Sequence, residues 1–317
     1  MRIVVIAVLV ASATAHAQGI DRRYVEEPTA GMALPATPLA GEQDARAVSV
    51  NPGGLALVRG TEMALALNVE DPAVATGAGQ GFGGFWAQSI GGRIVPRFGL
   101  GLGVEWLRPS RGQLEPDPGK PFRFTLGAAL PVGTSAGLGV AWHHFHSEGA
   151  LDGVDTFDAG LSLRHGSYLA GGLVVRDLAT SSVAGAPVQR RYEGELAVRP
   201  LGSDALDLGV GGRIGETRRD VDGWFRGSLR LVRGVFLQAA VETRELHVLA
   251  DSAVGSDLRG GRDVRATLGL ELSFGAVGVT SLFTGVRDER GDNHALGGTL
   301  VVRASSAGPS SVLGTPE

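Results

Sequence analysis

No cysteine occurs in the 317 residues, which excludes a disulfide framework and any thiolate metal site. Lysine is almost missing too: Lys120 stands alone, and the other basic residues are arginine. The formal net charge of −4 leaves no electrostatic footprint for nucleic acid. Long hydrophobic runs are absent after the first residues. No later stretch reaches the ~18 consecutive apolar residues of a spanning helix, and none sustains a 3.6-residue apolar stripe. What the chain has instead is glycine. Its 50 glycines are more than twice the usual share of about 7 %, without the Gly-X-Y period of collagen.

The first residues, "MRIVVIAVLVASATAHA", combine Arg2, an apolar run from Ile3 to Val10, and small residues at Ala15 and Ala17. That pattern predicts a secretory signal peptide over 1–17, cut before Gln18. The run is too short to cross a bilayer as a helix. Residues 18–60 are irregular, mixing prolines, glycines and short apolar pieces. From residue 61 a period-2 alternation takes over and predicts fourteen strands, near 61–68, 81–90, 97–107, 121–130, 136–145, 155–164, 168–177, 190–199, 205–214, 223–232, 234–244, 263–274, 276–287 and 294–303. Most are about ten residues long, the length a tilted strand needs to cross a membrane.

One face of each strand is apolar and the other nearly bare. In "RFGLGLGVEWL", Phe98, Leu100, Leu102, Val104 and Trp106 alternate with Gly99, Gly101, Gly103 and Glu105. The gaps between strands alternate long and short, as in an outer-membrane barrel with short periplasmic turns and longer outer loops. The expected fold is therefore all-β: a closed up-and-down antiparallel transmembrane β-barrel of about fourteen strands. Its domains would be a signal peptide (1–17), an irregular periplasmic or plug segment (18–60), the barrel (61–303) and a polar tail (304–317). Lipid requires the apolar face outside. The lumen would then hold charges of both signs: Glu62, Glu105, Arg123, Asp158, Arg164, Glu193, Glu195, Arg199, Asp207, Arg213, Arg226, Arg230, Glu242, Arg244, Arg265, Glu271 and Arg303. The interleaved glycines would leave space or permit sharp curvature. The competing reading is a soluble periplasmic all-β protein with the apolar sets in one core.

"SVNPGGLALVRGTEMALAL", residues 49–67, resembles the entry into the barrel of the long-chain fatty-acid transporter family (FadL) and its relatives in type IX secretion (PorV and PorQ). The matching positions are Asn51, Pro52, Gly53, Gly54 and Leu55. The resemblance implies fourteen strands with an amino-terminal hatch. It also implies a terminal aromatic residue, and here the chain departs, running on through "ASSAGPSSVLGTPE". That tail, with "QGIDRRYVEEPTAGMALPATPLAGEQDARAVSVNPGGLAL", is similar to the amino-terminal region of large bacterial signal peptide peptidases, where a barrel-like region precedes serine protease domains. Such peptidases pair a serine with a lysine base. Lys120, in "EPDPGKP", has no serine in a partner setting, so by this resemblance the catalytic part is missing.

Little else carries chemistry. In "AWHHFHSE", His144 and His146 share a strand face and could bind zinc or copper with Glu148 or Asp152, or simply face water at a barrel rim. "GQGFGG", Gly79 to Gly84, matches G-x-G-x-x-G without a strand before it or a helix after it. Ser147 and His146 lack the spacing of a hydrolase triad. The sequence thus predicts no enzyme, no cofactor and no nucleic-acid partner. It predicts a plugged channel, or an anchor for a periplasmic protein partner, in contact with outer-membrane lipid and a hydrophobic or amphipathic ligand.

Overall fold

A computed structural model of the chain describes residues 22–24, 29–41, 43–69, 80–91, 97–108, 114–115, 119–179, 182–183, 186–216, 221–250, 257–287 and 293–306. The expected signal peptide, the tail beyond 306 and Gly79 lie outside them.

Fourteen antiparallel strands make one sheet that closes on itself. They are β1 (Thr61–Val69), β2 (Gly81–Ile90), β3 (Phe98–Leu107), β4 (Phe122–Val132), β5 (Ala136–His146), β6 (Asp155–His165), β7 (Leu169–Arg176), β8 (Arg191–Val198), β9 (Leu206–Gly215), β10 (Val221–Val232), β11 (Val235–Ala250), β12 (Asp257–Phe274), β13 (Val277–Arg287) and β14 (Asn293–Ser305). Each pairs with its sequence neighbour, and β14 pairs with β1 from Gly298 opposite Val69 to Ser305 opposite Glu62. A closed ring leaves no strand edge unpaired, the condition for backbone to survive in hydrocarbon.

Turn chemistry fixes one end of the barrel. The connections at 133–135, 166–168, 233–234 and 275–276 are tight. Gly133, Gly166, Gly234 and Gly275 hold positive φ there, a conformation that side chains oppose. The other end carries most of the longer connections. The alternation is not unbroken: 216–220, after β9, is shorter than 199–205 before it. The stretch 245–262, expected as a loop, is largely strand. There β11 and β12 stay in register from Val235 opposite Leu272 to Ala250 opposite Asp257. Apolar alternation is a requirement of lipid, and pairing continues past the point where it stops.

The side-chain faces separate as the pattern demands. Leu65, Leu130, Leu196 and Phe283 are each more than half exposed on the outer surface, whereas Glu105 and Arg123 on the inner surface are almost wholly buried. A sandwich core would reverse this, so the soluble two-layer reading is overturned. Toward the long-loop end the outer face carries an aromatic group. Phe82 stacks on Trp106 at a centroid distance of 4.7 Å, and Trp106 meets Phe122 edge-on at 5.0 Å, as in the aromatic girdles that flank the apolar band of such barrels.

The lumen contains the chain's own amino-terminal segment. It includes one helical turn, α1 (Ala47–Val50), followed by a 3₁₀ turn at Pro52–Leu57. The 3₁₀ turn lies against β4, β5 and β6, and α1 against β3 and β4.

Candidate functional site

The seat of the inner segment is built from the glycines of the bare strand faces. A Cβ on Gly99 would fall 2.1 Å from the Leu55 carbonyl oxygen, and one on Gly139 would fall 2.2 Å from that of Pro52. At Gly101 and Gly127 the obstacles are the Leu55 and Val48 side chains, and at Gly172 the Leu39 main chain. These glycines therefore admit the main chain of the inner segment at Gly99, Gly139 and Gly172 and its side chains at Gly101 and Gly127, which is more specific than leaving room or bending the strand.

The motif at 51–55 is the counterpart of that seat. Asn51 caps the 3₁₀ turn: its side-chain oxygen accepts from the Gly53 N–H at 3.1 Å, and its amide donates to the carbonyls of Leu39 (2.9 Å) and Leu161 (3.1 Å). Pro52 takes the first position of the turn, where its missing N–H costs nothing. Gly53 passes so near the wall that a Cβ would be 2.7 Å from the carbonyl oxygens of Gly137 and Gly160. Gly54 is covered by Gln43, and Leu55 is fully buried.

The charged inner residues reach the same segment. Glu105 opposes Arg123 across β3 and β4 and ion-pairs with it. Glu105 also accepts from the Met32 N–H at 2.9 Å, and Arg123 donates to the Thr29 carbonyl at 3.4 Å. Glu195 accepts from the N–H groups of Leu39 and Ala40, each at 3.3 Å, and from Trp224 Nε1 at 2.9 Å. Arg226 bridges Glu195 and Asp207 and donates to the Ala40 carbonyl at 2.8 Å. Arg199 completes this group by pairing with Asp207 at 2.7 Å. Arg164 donates to the Gly41 carbonyl at 2.7 Å. Charge-assisted bonds to main chain recognise a path of backbone whatever its side chains.

A third group contains residues that the alternation did not single out. Arg176 pairs with Asp158 at 2.8 Å and Glu193 at 2.9 Å, and donates to the carbonyls of Ser49 (3.0 Å) and Val50 (2.8 Å). His143 is buried between Thr125 Oγ1 (2.9 Å) and Asp158 Oδ2 (3.1 Å). Just past β7, Asp177 pairs with Arg191 at 3.3 Å and has its carboxyl pushed up, by burial first and by Asp158 second, against the pull of Arg191. His143 was legible in principle, since it shares the inner parity of Gly137 and Gly139. Arg176 was hidden by the mixed faces of β7.

The remaining charges lie elsewhere on the wall. Arg213 pairs with Asp222 at 3.0 Å and with Glu242. Glu271 pairs with Arg303. Glu62 and Arg265 are buried in the inner wall. Arg230, on the same strand parity as Arg226 and opposite Phe236 of β11, sits at the short-turn mouth, where it is exposed and pairs with Asp204 at 2.8 Å. The side chain of Arg244 lies outside the described residues. His144 and His146 point outward as expected, but to separate partners, Asp155 at 2.9 Å and Asp152 at 3.1 Å. Among the described residues no three potential ligands converge on one metal position.

At the short-turn end, between the segment and β11–β14, is a cavity of about 230 Å³ bordered by Pro35, Arg46, Gln238, Glu271, Leu282 and Arg303. Asp44 lies on the same wall and pairs with Arg46 at 2.8 Å. Burial would raise the Asp44 carboxyl, but the charge and hydrogen bonds of Arg46, helped by Arg303, override it and hold the group at about 2.

Together these features define a transmembrane β-barrel whose inner wall grips the chain's own amino-terminal segment. A scan against protein-family models and a search of curated proteins find no match. Solved structures share the fold. A FadL homologue from Pseudomonas aeruginosa superposes with a TM-score of 0.58 at 12% identity, over 87% of this chain and 99% of that one. The CymD monoaromatic hydrocarbon channel gives 0.51 at 11% identity, over 84% and 94%. The chain is thus similar in fold to FadL-like channels.

Proposed function

We propose that this protein is an outer-membrane channel for a small amphipathic or hydrophobic molecule, plugged by its own amino-terminal segment. The short turns face the periplasm, the long connections face outward, and a cleaved signal peptide delivers the chain. The observation carrying this reading is the set of wall-to-backbone bonds from Glu105, Arg123, Arg164, Arg176, Glu195 and Arg226 to residues 29–50. A barrel of fourteen strands is too wide for wall side chains alone to fill, and the backbone bound along its inner wall supports a plug. The fold likeness to a FadL homologue and to a hydrocarbon channel supports the ligand class. The cavity at the short-turn end mixes apolar side chains such as Pro35 and Leu282 with charged ones such as Arg46 and Glu271, a lining that suits an amphipathic molecule better than a purely apolar one.

The filled lumen also favours a second reading, a solid anchor or scaffold for a periplasmic partner. At the long-loop end Phe145, Leu151, Val154, Val183 and Val188 form a dry cap belonging to the interior cluster, as an anchor would tolerate. Deleting residues 18–60 separates the two. In planar bilayers the plugged channel gains a large steady conductance on deletion. Unchanged conductance from a folded deletion variant contradicts the plug and leaves the anchor.

A further inference from the structure

The inner segment runs from one mouth of the barrel to the other. Residues Arg22–Tyr24 form a short strand, antiparallel to β11 at Val248 and Leu249 and parallel to Leu114–Glu115. All these partners belong to the long-loop end. Immediately after, Thr29 and Met32 are held by Arg123 and Glu105, which flank the long connection between β3 and β4. The chain then descends. Gly41 is bound by Arg164, next to the last residue of β6 before a short turn, and Asp44 and Arg46 share the cavity with Gly275 and Ala276 of another short turn. After rising to Arg176 at Ser49 and Val50, it returns along the glycine seat to enter β1 at the short-turn end. Two independent contact sets, strand pairing at 22–24 and side-chain bonds at 29–32, put the beginning of the segment at the mouth opposite to β1.

We propose that the amino end of the exported chain is threaded through the lumen and emerges on the outer side of the membrane. This rests on the orientation proposed above. The segment is then a strap held at both mouths, not a stopper hung from the periplasmic side. It cannot leave toward the periplasm as a unit without drawing Arg22 through the whole lumen and past six gripping side chains. Opening is therefore a shift within the lumen.

The absence of cysteine makes any introduced thiol unique. Intact cells carrying Arg22→Cys or Arg23→Cys are treated with a membrane-impermeant maleimide, two neighbouring positions being used because successive strand residues point to opposite sides. His146→Cys marks the long-loop end and Thr134→Cys a short turn, both exposed positions. At least one of the first pair is expected to label on intact cells as His146→Cys does, while Thr134→Cys labels only after permeabilisation. Labelling of both Arg22→Cys and Arg23→Cys only after permeabilisation, or not at all, with the markers behaving as stated, overturns the threading. In the purified barrel, oxidation of the Arg23→Cys/Val248→Cys pair, directly opposed in the strand register, reports the path without reference to membrane side. Opposed antiparallel positions lie ~4.5–5.5 Å apart at Cα, within reach of a disulfide. A cross-link is expected, and its absence overturns the threading. If the markers exchange sides while the cross-link forms, emergence outside is overturned and the fault lies in the orientation.

Discussion

Single atoms decide how the lumen is filled. Gly139→Val would drive a side chain into the Pro52 carbonyl, and overpacking of this kind costs ~1–3 kcal/mol. Gly84→Ala meets only ordinary contacts on the outer face. The temperature at which the folded band shifts on a gel is therefore expected to fall for the first and hold for the second. Glu105→Gln leaves Arg123 buried without a counter-charge, a loss of roughly 3–5 kcal/mol. Replacing both by leucine should recover much of it, as denaturant midpoints would show. Asp44 adds a pH dependence. Its carboxyl is depressed from 3.8 to about 2, so its stabilisation, on the order of 2 kcal/mol, is complete above pH ~4 and disappears as pH falls toward 2. Asp44→Asn should flatten that acid limb in a pH series of stability. Parity sets a strand's two sides, so the alternation assigned each charge to a face. It could not show what they bind, since their partners are main-chain groups of a segment without periodicity.

At the scale of elements, the fourteen strands were legible because lipid imposes apolar alternation and turns impose glycine. The β11–β12 extension was not, since a hairpin beyond the apolar band has no such constraint. The path of residues 29–57 was equally opaque, being specified by shape. Gly53 fits against Gly137 and Gly160, and Leu55 fits over Gly99 and Gly101, pairs that are distant in sequence. The outer faces make their own prediction. Leu65→Arg, outward at the middle of β1, should cost ~2–4 kcal/mol when refolding into bilayers is measured, and much less in a detergent micelle that lets the guanidinium reach water.

In the molecule as a whole, a lipid-facing apolar surface and a gripping ionic interior are the two sides of one closed sheet. On the channel function proposed above, whatever passes must move the backbone that the wall holds. A nitroxide scan along β1 in lipid vesicles, comparing collision with oxygen and with a water-soluble nickel chelate, tests both sides together. Labels at Met63, Leu65 and Leu67 are predicted to meet oxygen freely and nickel poorly. Labels at Ala64 and Ala66, buried against the inner segment, are predicted to be shielded from both. Strong nickel collision at 64 and 66 would mean an open, unfilled lumen, and shielding of 63, 65 and 67 from oxygen would mean that those side chains never reach lipid. Either result contradicts the account.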